Sequence, residues 1–142
     1  MKDMIVIHHN PDCGTSRNVL ALIRAAGYDP VVVDYLKEGW TRSQLLALLA
    51  AAGLKPSEAL RKTKSPAKEL GLLKEDLCEE HILSHMLDHP VLVNRPIVCS
   101  PKGVKLCRPS EAVLDLLENK PKGPFHKEDG ELLIDESGNL CV

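Results

Sequence analysis

The sequence predicts an α/β domain: a four-stranded mixed sheet flanked by helices and interrupted by a helical insertion. Three observations lead there. A β-branched run, an amphipathic helical pattern and a second β-branched run follow one another within residues 4–36. That order makes a βαβ unit, with parallel strands and a right-handed crossover. Two short apolar runs flank Pro101-Lys102-Gly103, the signature of an antiparallel hairpin. Residues 57–89, between them, carry helical spacing.

Taken in order, "MIVIH" from Met4 to His8 reads as a strand, and Asn10-Pro11-Asp12 breaks it. From Thr15 a helix places Val19, Leu22, Ile23 and Ala26 on one face and stops at Gly27. "PVVVDYL", Pro30 to Leu36, reads as a second buried strand. Thr41 and Gln44 have capping-box spacing, ahead of a helix with Leu45, Leu48, Leu49 and Ala52 inward and Gly53 at its end. In the middle, Ser57 is expected to cap a short helix through "EALRK", a second piece to run near Lys68–Leu73, and "EEHILSHMLDH" to form a third. The strands "PIVCS" and "VKLC" follow, and Pro109-Ser110-Glu111 opens a last helix with Val113, Leu114 and Leu117 inward. Beyond Asn119 periodicity is lost, and the rest reads as a loosely docked tail. The whole order, β-α-β-α, insert, β-β-α, is the thioredoxin-like plan. It is expected as one domain over 1–142, with the insert at about 54–90 and the tail at about 119–142.

Composition bounds the function. The chain has 142 residues, 44% apolar and 27% charged, an ordinary globular mixture. A formal net charge of -2 argues neither for nucleic acid nor for anionic membrane, and neither is expected as a partner; any bound anion must be attracted by local geometry. No apolar run approaches the ~20 residues of a membrane span, and the start, Met1–Ile7, has the wrong flanks for a signal peptide. A cytoplasmic address follows as an expectation. The five cysteines, Cys13, Cys78, Cys99, Cys107 and Cys141, include no CxxC pair, which disfavours a disulfide scaffold or zinc ribbon.

Cys13 stands apart from the others. It falls in "HNPDCGTSRN", where the first strand hands over to the first helix. Free N–H groups and the positive helix end favour an anion there, whether thiolate or bound oxyanion. Such a position lowers a thiol pKa from about 8.5 toward neutrality. Burial under the helix is the bland alternative, and small polar neighbours weigh against it. Gly14 permits close backbone approach, and Ser16 stands where a second cysteine would make a CxxC pair. An intermediate on Cys13 therefore needs a thiol from elsewhere to resolve it. A phosphatase-type loop is excluded, because Val19 stands where its arginine would be. Arg17 reads as a helix residue facing solvent.

Three more arginines matter. Arg95 precedes Pro96 at the start of the third strand, Arg108 leaves the hairpin toward the last helix, and Arg61 ends a short helix of the insert. In a thioredoxin-like fold the strand-opening proline is cis and sits against the active cysteine, which would put Arg95 beside Cys13. Guanidiniums converging on a thiolate make a site for a tetrahedral oxyanion. Taken singly, each arginine is as well explained as a surface charge.

The stretches "HNPDCGTSRN", "ALRK", "HPVLVNRPIV", "LCRPSEAVLDLL" and "KEDGE" together resemble the glutaredoxin-coupled arsenate reductase family, the ArsC family, over essentially the whole chain. The resemblance implies that Cys13 is the nucleophile, and that Arg61, Arg95 and Arg108 hold the arsenate oxyanion. It further implies that His9 helps keep the thiol ionised and that Ser16 hydrogen-bonds near the thiolate. Glutathione would be co-substrate and glutaredoxin the partner, with no metal and no tightly bound cofactor. His8 reads as strand end, and the other histidines as solvated. Cys99 and Cys107 read as buried, and Cys141 as a mobile residue that the family's chemistry does not need. Two other readings stand behind this one: a regulator of the same fold that binds RNA polymerase, and a glutathione-dependent disulfide oxidoreductase.

Overall fold

The computed structural model describes residues 3–141. Met1, Lys2 and Val142, which the expected domain and tail include, lie outside the described residues. The chain divides into two compact units, one from Met1–Asp34 with Arg95–Val142 and the other from Tyr35–Asn94.

The first unit holds the sheet. Strands β1 (Val6–His9), β2 (Val31–Asp34), β3 (Ile97–Ser100) and β4 (Gly103–Leu106) lie in the order β2-β1-β3-β4. β1 pairs parallel with β2 and antiparallel with β3, and β3 pairs antiparallel with β4, in the mixed pattern of a thioredoxin-like fold. Helix α1 (Gly14–Ala25) makes the crossover and buries Val19, Leu22 and Ile23 completely against Ile5, Ile7 and Val98. It stops where Gly27 takes a φ of +95°, with Gly27 N–H on the Arg24 carbonyl and Tyr28 N–H on that of Ile23. That Schellman pattern needs a residue without Cβ.

Three expectations are corrected in this unit. β2 is not buried: Val31 and Val32 are 50% and 40% exposed, because β2 is an edge strand of the sheet. The last helix, Ser110–Leu116, is a 3-10 helix. Three of its four buried residues, Ser110, Val113 and Leu116, recur every third residue, a spacing that suits three residues per turn. The tail is docked rather than loose. β5 (Phe125–His126) and β6 (Leu132–Ile134) form a hairpin, and Leu133 and Ile134 are 0% and 1% exposed in the same core as α1.

The second unit is helical: α2 (Tyr35–Glu38), α3 (Arg42–Ala51) and α4 (Glu79–Asp88). α3 opens with both bonds of the Thr41–Gln44 capping box and ends in a second Schellman turn at Gly53. The Tyr35 hydroxyl donates to the Val93 carbonyl at 3.0 Å, and its ring stacks on Trp40. Ser57 caps no α-helix. It lies inside a 3-10 turn, Pro56–Ala59, and donates from N–H and hydroxyl to Glu79 at the start of α4. Arg61 ends no helix either. Leu60 bridges Val93 in extended backbone, and Arg61 N–H donates to the Leu92 carbonyl. The piece expected near Lys68–Leu73 is a run of turns, closed after one cycle by Gly71 at φ +74°. Among the described residues no helix is long and apolar enough to cross a membrane.

Candidate active site

The loop from β1 to α1 is shaped by Asn10. Its side-chain oxygen accepts Asp12 N–H at 2.9 Å, and its carbonyl accepts Cys13 N–H at 3.1 Å. Asn-Pro-Asp is the sequence signal for such an Asx-turn, a more specific feature than the strand break that the same residues make. The turn sets Cys13 as the N-cap of α1, in extended backbone, with no side-chain cap of its own. The sulfur thus occupies the place an N-cap oxygen would take, facing the unpaired N–H groups of the first turn.

Arg95 and Arg108 arrive from the other end of the first unit. The Arg95–Pro96 bond before β3 is cis, as is Arg108–Pro109 after β4. Cys107 N–H donates to the Pro96 carbonyl at 2.9 Å, which ties the two arginine-proline steps together. Arg108 Nη1 donates to the Arg95 carbonyl at 3.1 Å and to Cys13 Sγ at 3.6 Å, across 95 residues of sequence. Burial of the Cys13 side chain works against its ionisation. The Ser16 backbone N–H, the Arg95 charge and hydrogen bonds from Arg108 and Arg95 outweigh burial and bring the thiol below its ordinary range. Sequence proximity and long-range convergence therefore act on one sulfur.

Ser16 takes part in a way the sequence does not specify. Its hydroxyl is completely buried and turned inward, sharing a 2.6 Å hydrogen bond with His9 Nδ1 and accepting Asn10 N–H at 3.1 Å. The main-chain N–H, rather than the hydroxyl, serves the sulfur. Burial lowers the His9 pKa, with Arg24 and Arg17 adding to this and Asp34 opposing it. The His9 ring thus braces Ser16, and the lowered pKa favours its neutral form. His8 is buried in β1 between Val33 and Ile97 and is likewise lowered by burial. Arg17 does more than face solvent. It holds Glu128 of the tail and the Pro11 carbonyl, a junction nothing local in the sequence announces.

The remaining site candidate, Arg61, lies in the second unit, with its Nε donating to the Thr63 carbonyl. The other cysteines differ sharply from Cys13. Burial pushes the Cys107 thiol up to about 12 and also raises Cys99, which is half-buried, less than its apolar neighbours suggest. Cys78 and Cys141 are exposed. Cys141 is anchored rather than mobile, its N–H donating to the Leu133 carbonyl. Of the remaining histidines, His81 and His126 are exposed, while His85 and His89 are half-buried; His81 meets His85 edge-on, and the His85 ring stacks with that of His89. Among the described residues, no three His, Cys, Asp or Glu side chains group so as to hold a metal ion.

The profile of the ArsC family matches residues 8–116, a span that contains Cys13 and all three candidate arginines. The chain belongs to the ArsC family. It is 68% identical over 138 residues to arsenate reductase ArsI1 of Synechocystis sp., covering 97% of this chain and 96% of that protein. It is 48% identical over 134 residues to the arsenate reductase of Escherichia coli K12, covering 94% and 95%. Among solved structures, arsenate reductase from Vibrio cholerae superimposes with a TM-score of 0.77 at 34% identity, over 82% of this chain and 100% of that one. Most of the tail, beyond the span of the ArsC profile, falls within the long alignments with the Synechocystis and Escherichia coli relatives, which leave at most four and eight residues of the chain unaligned.

Proposed function

We propose that this chain is an arsenate reductase in which Cys13 is the nucleophile, and glutathione and glutaredoxin supply the electrons. The observation that carries the reading is the convergence of the Ser16 N–H, Arg95 and Arg108 on the Cys13 sulfur. A disulfide bond itself presents no tetrahedral dianion for two guanidiniums to hold, and Ser16 removes the CxxC switch of a redox regulator. The names of the relatives above favour the same activity.

In the proposed reaction, Arg95 and Arg108 bind arsenate oxygens bidentately. The Cys13 thiolate attacks arsenic, and one protonated oxygen leaves as water. The glutathione thiol displaces a second oxygen, again as water. A glutaredoxin thiolate then attacks the glutathione sulfur. The pair of electrons from the breaking arsenic–sulfur bond stays on arsenic, which falls from the pentavalent to the trivalent state. Hydrolysis frees arsenite and regenerates Cys13. Arg61 is assigned the third oxyanion-balancing charge on family resemblance alone.

The external thiol has support of its own. With Cys107 at about 12 and Cys99 raised by burial, neither is a ready thiolate near neutral pH. No tightly bound cofactor enters the scheme. Five unpaired cysteines suit a reducing, cytoplasmic address. The test is NADPH consumption with arsenate, glutathione, glutaredoxin and glutathione reductase, for the wild type beside Cys13→Ser. Turnover by the wild type alone is expected. Wild-type inactivity in a folded chain, or equal turnover by both, would overturn the assignment.

A further inference from the structure

The "KEDGE" stretch, Lys127–Glu131, has no part in the chemistry above, yet one of its residues reaches the loop that carries Cys13. Both Glu128 carboxylate oxygens accept from Arg17 Nε at 2.8 Å. The same guanidinium donates through Nη1 to the Pro11 carbonyl at 2.7 Å. Glu128 N–H donates to Asn18 Oδ1 at 3.0 Å. One tail residue thus grips two neighbours in the first turns of α1, and through Arg17 the loop just ahead of the nucleophile.

We propose that Glu128 is a positioning residue of the candidate site: it holds the Arg17 guanidinium across the Cys13 loop, so that the loop presents the sulfur to Ser16, Arg95 and Arg108. Three features support this beyond the contacts themselves. The turn that offers Glu128 is closed by three hydrogen bonds, Lys127 N–H to the Glu131 carbonyl, Gly130 N–H to the Lys127 carbonyl and Glu131 N–H to Asp129 Oδ1. It leads directly into β6, whose Leu133 and Ile134 are in the core, so the carboxylate is offered from fixed backbone. Finally, the side chains of the Arg17–Glu128 pair are 46% and 45% exposed, and pairs of that kind add little to stability. What the pair does supply is direction. A planar guanidinium occupied on two edges is fixed in orientation, which a lysine ammonium is not.

The proposal rests on Cys13 being the nucleophile, but its test reads Cys13 directly and needs neither arsenate nor glutaredoxin. A positioning role and a through-space charge give opposite signs. Removing the Glu128 carboxylate deletes a negative charge near the site, and by charge alone that favours the thiolate. Losing the grip on the loop instead weakens the contacts that hold the thiolate. The measurement is the pH profile of Cys13 alkylation by iodoacetamide in the full chain, resolved by peptide mass spectrometry, with melting as the check on folding. Glu128→Ala keeps the backbone bond to Asn18.

Expected is a roughly twofold to threefold slower reaction on the acid side of the profile. Arg17→Ala should match it, Arg17→Lys should fail to rescue, and the double variant should be no slower than either single one. Unchanged or faster alkylation, rescue by lysine, or additive losses would overturn the proposal. So would an unfolded Glu128→Ala chain, because the pair would then be a determinant of the fold.

Discussion

Replacing Arg108 by glutamine tests the charge at the candidate site quantitatively. The guanidinium stands 3.6 Å from Cys13 Sγ and is itself exposed, whereas the sulfur is buried, so the fully screened value in water is a lower bound on their attraction. Two unit charges at that separation in water attract by about 1.2 kcal/mol, which is about sevenfold in the thiolate equilibrium. The observable rate changes less. A thiolate of higher pKa is intrinsically more nucleophilic, with a Brønsted slope of about 0.4–0.5. Arg108→Gln should therefore alkylate at Cys13 at least about threefold more slowly on the acid side of the profile, and at least about twofold faster on its alkaline plateau. The two profiles must cross. Site-resolved detection is required because Cys78 and Cys141 are exposed and also react. Superimposable profiles would refute the idea that Arg108 holds the thiolate. A uniform slowing at every pH would assign the loss to altered access instead of charge.

Other perturbations read other links in the same chain of causes. Ser16→Ala leaves His9 Nδ1 and Asn10 N–H without their buried partner, costing about 2–4 kcal/mol and lowering the melting temperature by roughly 5–15 °C; a melt within a degree of wild type would show the pocket refilled. Cys13→Ser reports linkage. The folded thiol lies below its ordinary range, so its ionisation stabilises the fold fully above the unfolded value of about 8.5, and that contribution is lost as pH falls through the folded value. The wild type should gain melting temperature over Cys13→Ser across that window, and a constant difference would mean equal ionisation in both states. Tyr35→Phe removes the donor to the buried Val93 carbonyl and should cost about 1–2 kcal/mol in a urea titration; no change in midpoint would mean water takes over that bond.

What was legible in the sequence was local. The helix stops at Gly27 and Gly53, the Thr41–Gln44 box and the Pro101–Gly103 hairpin are each specified within a few residues, and the structure has all of them. Cys13 at a helix start is readable for the same reason. The failures are positional. "PVVVDYL" spells a buried strand, but burial depends on a neighbour in the sheet, and among the described residues β2 has none on one side. The tail lacks periodicity because a two-residue strand and a three-residue strand are too short to show any. At the site, Arg108 and Cys13 are 95 residues apart and Arg17 and Glu128 are 111 apart. No spacing rule joins such pairs. Family resemblance grouped the arginines around Cys13, and it marked "KEDGE" without saying what the stretch touches.

The way the thiolate is held has a consequence for the proposed reaction. Cys13 is only 6% exposed, so water contributes little to stabilising its charge. A backbone N–H and two guanidiniums replace that solvation. When sulfur bonds to arsenic, the negative charge leaves sulfur and accumulates on the arsenate oxygens, a short distance away. The N–H of Ser16 is fixed by the helix and cannot follow it. Arg95 and Arg108 stand on loops beside the sheet, and their planar forks turn from one acceptor to another without losing charge. The helix start thus sets the resting nucleophile, while the arginines serve both the nucleophile and the developing adduct. Loss of the His9–Ser16 brace should therefore act mainly on the free thiol, whereas loss of either arginine should slow adduct formation beyond its effect on alkylation. Comparing Arg108→Gln in alkylation and in arsenate turnover separates the two roles. A larger loss in turnover is expected, and equal losses would confine Arg108 to the thiolate.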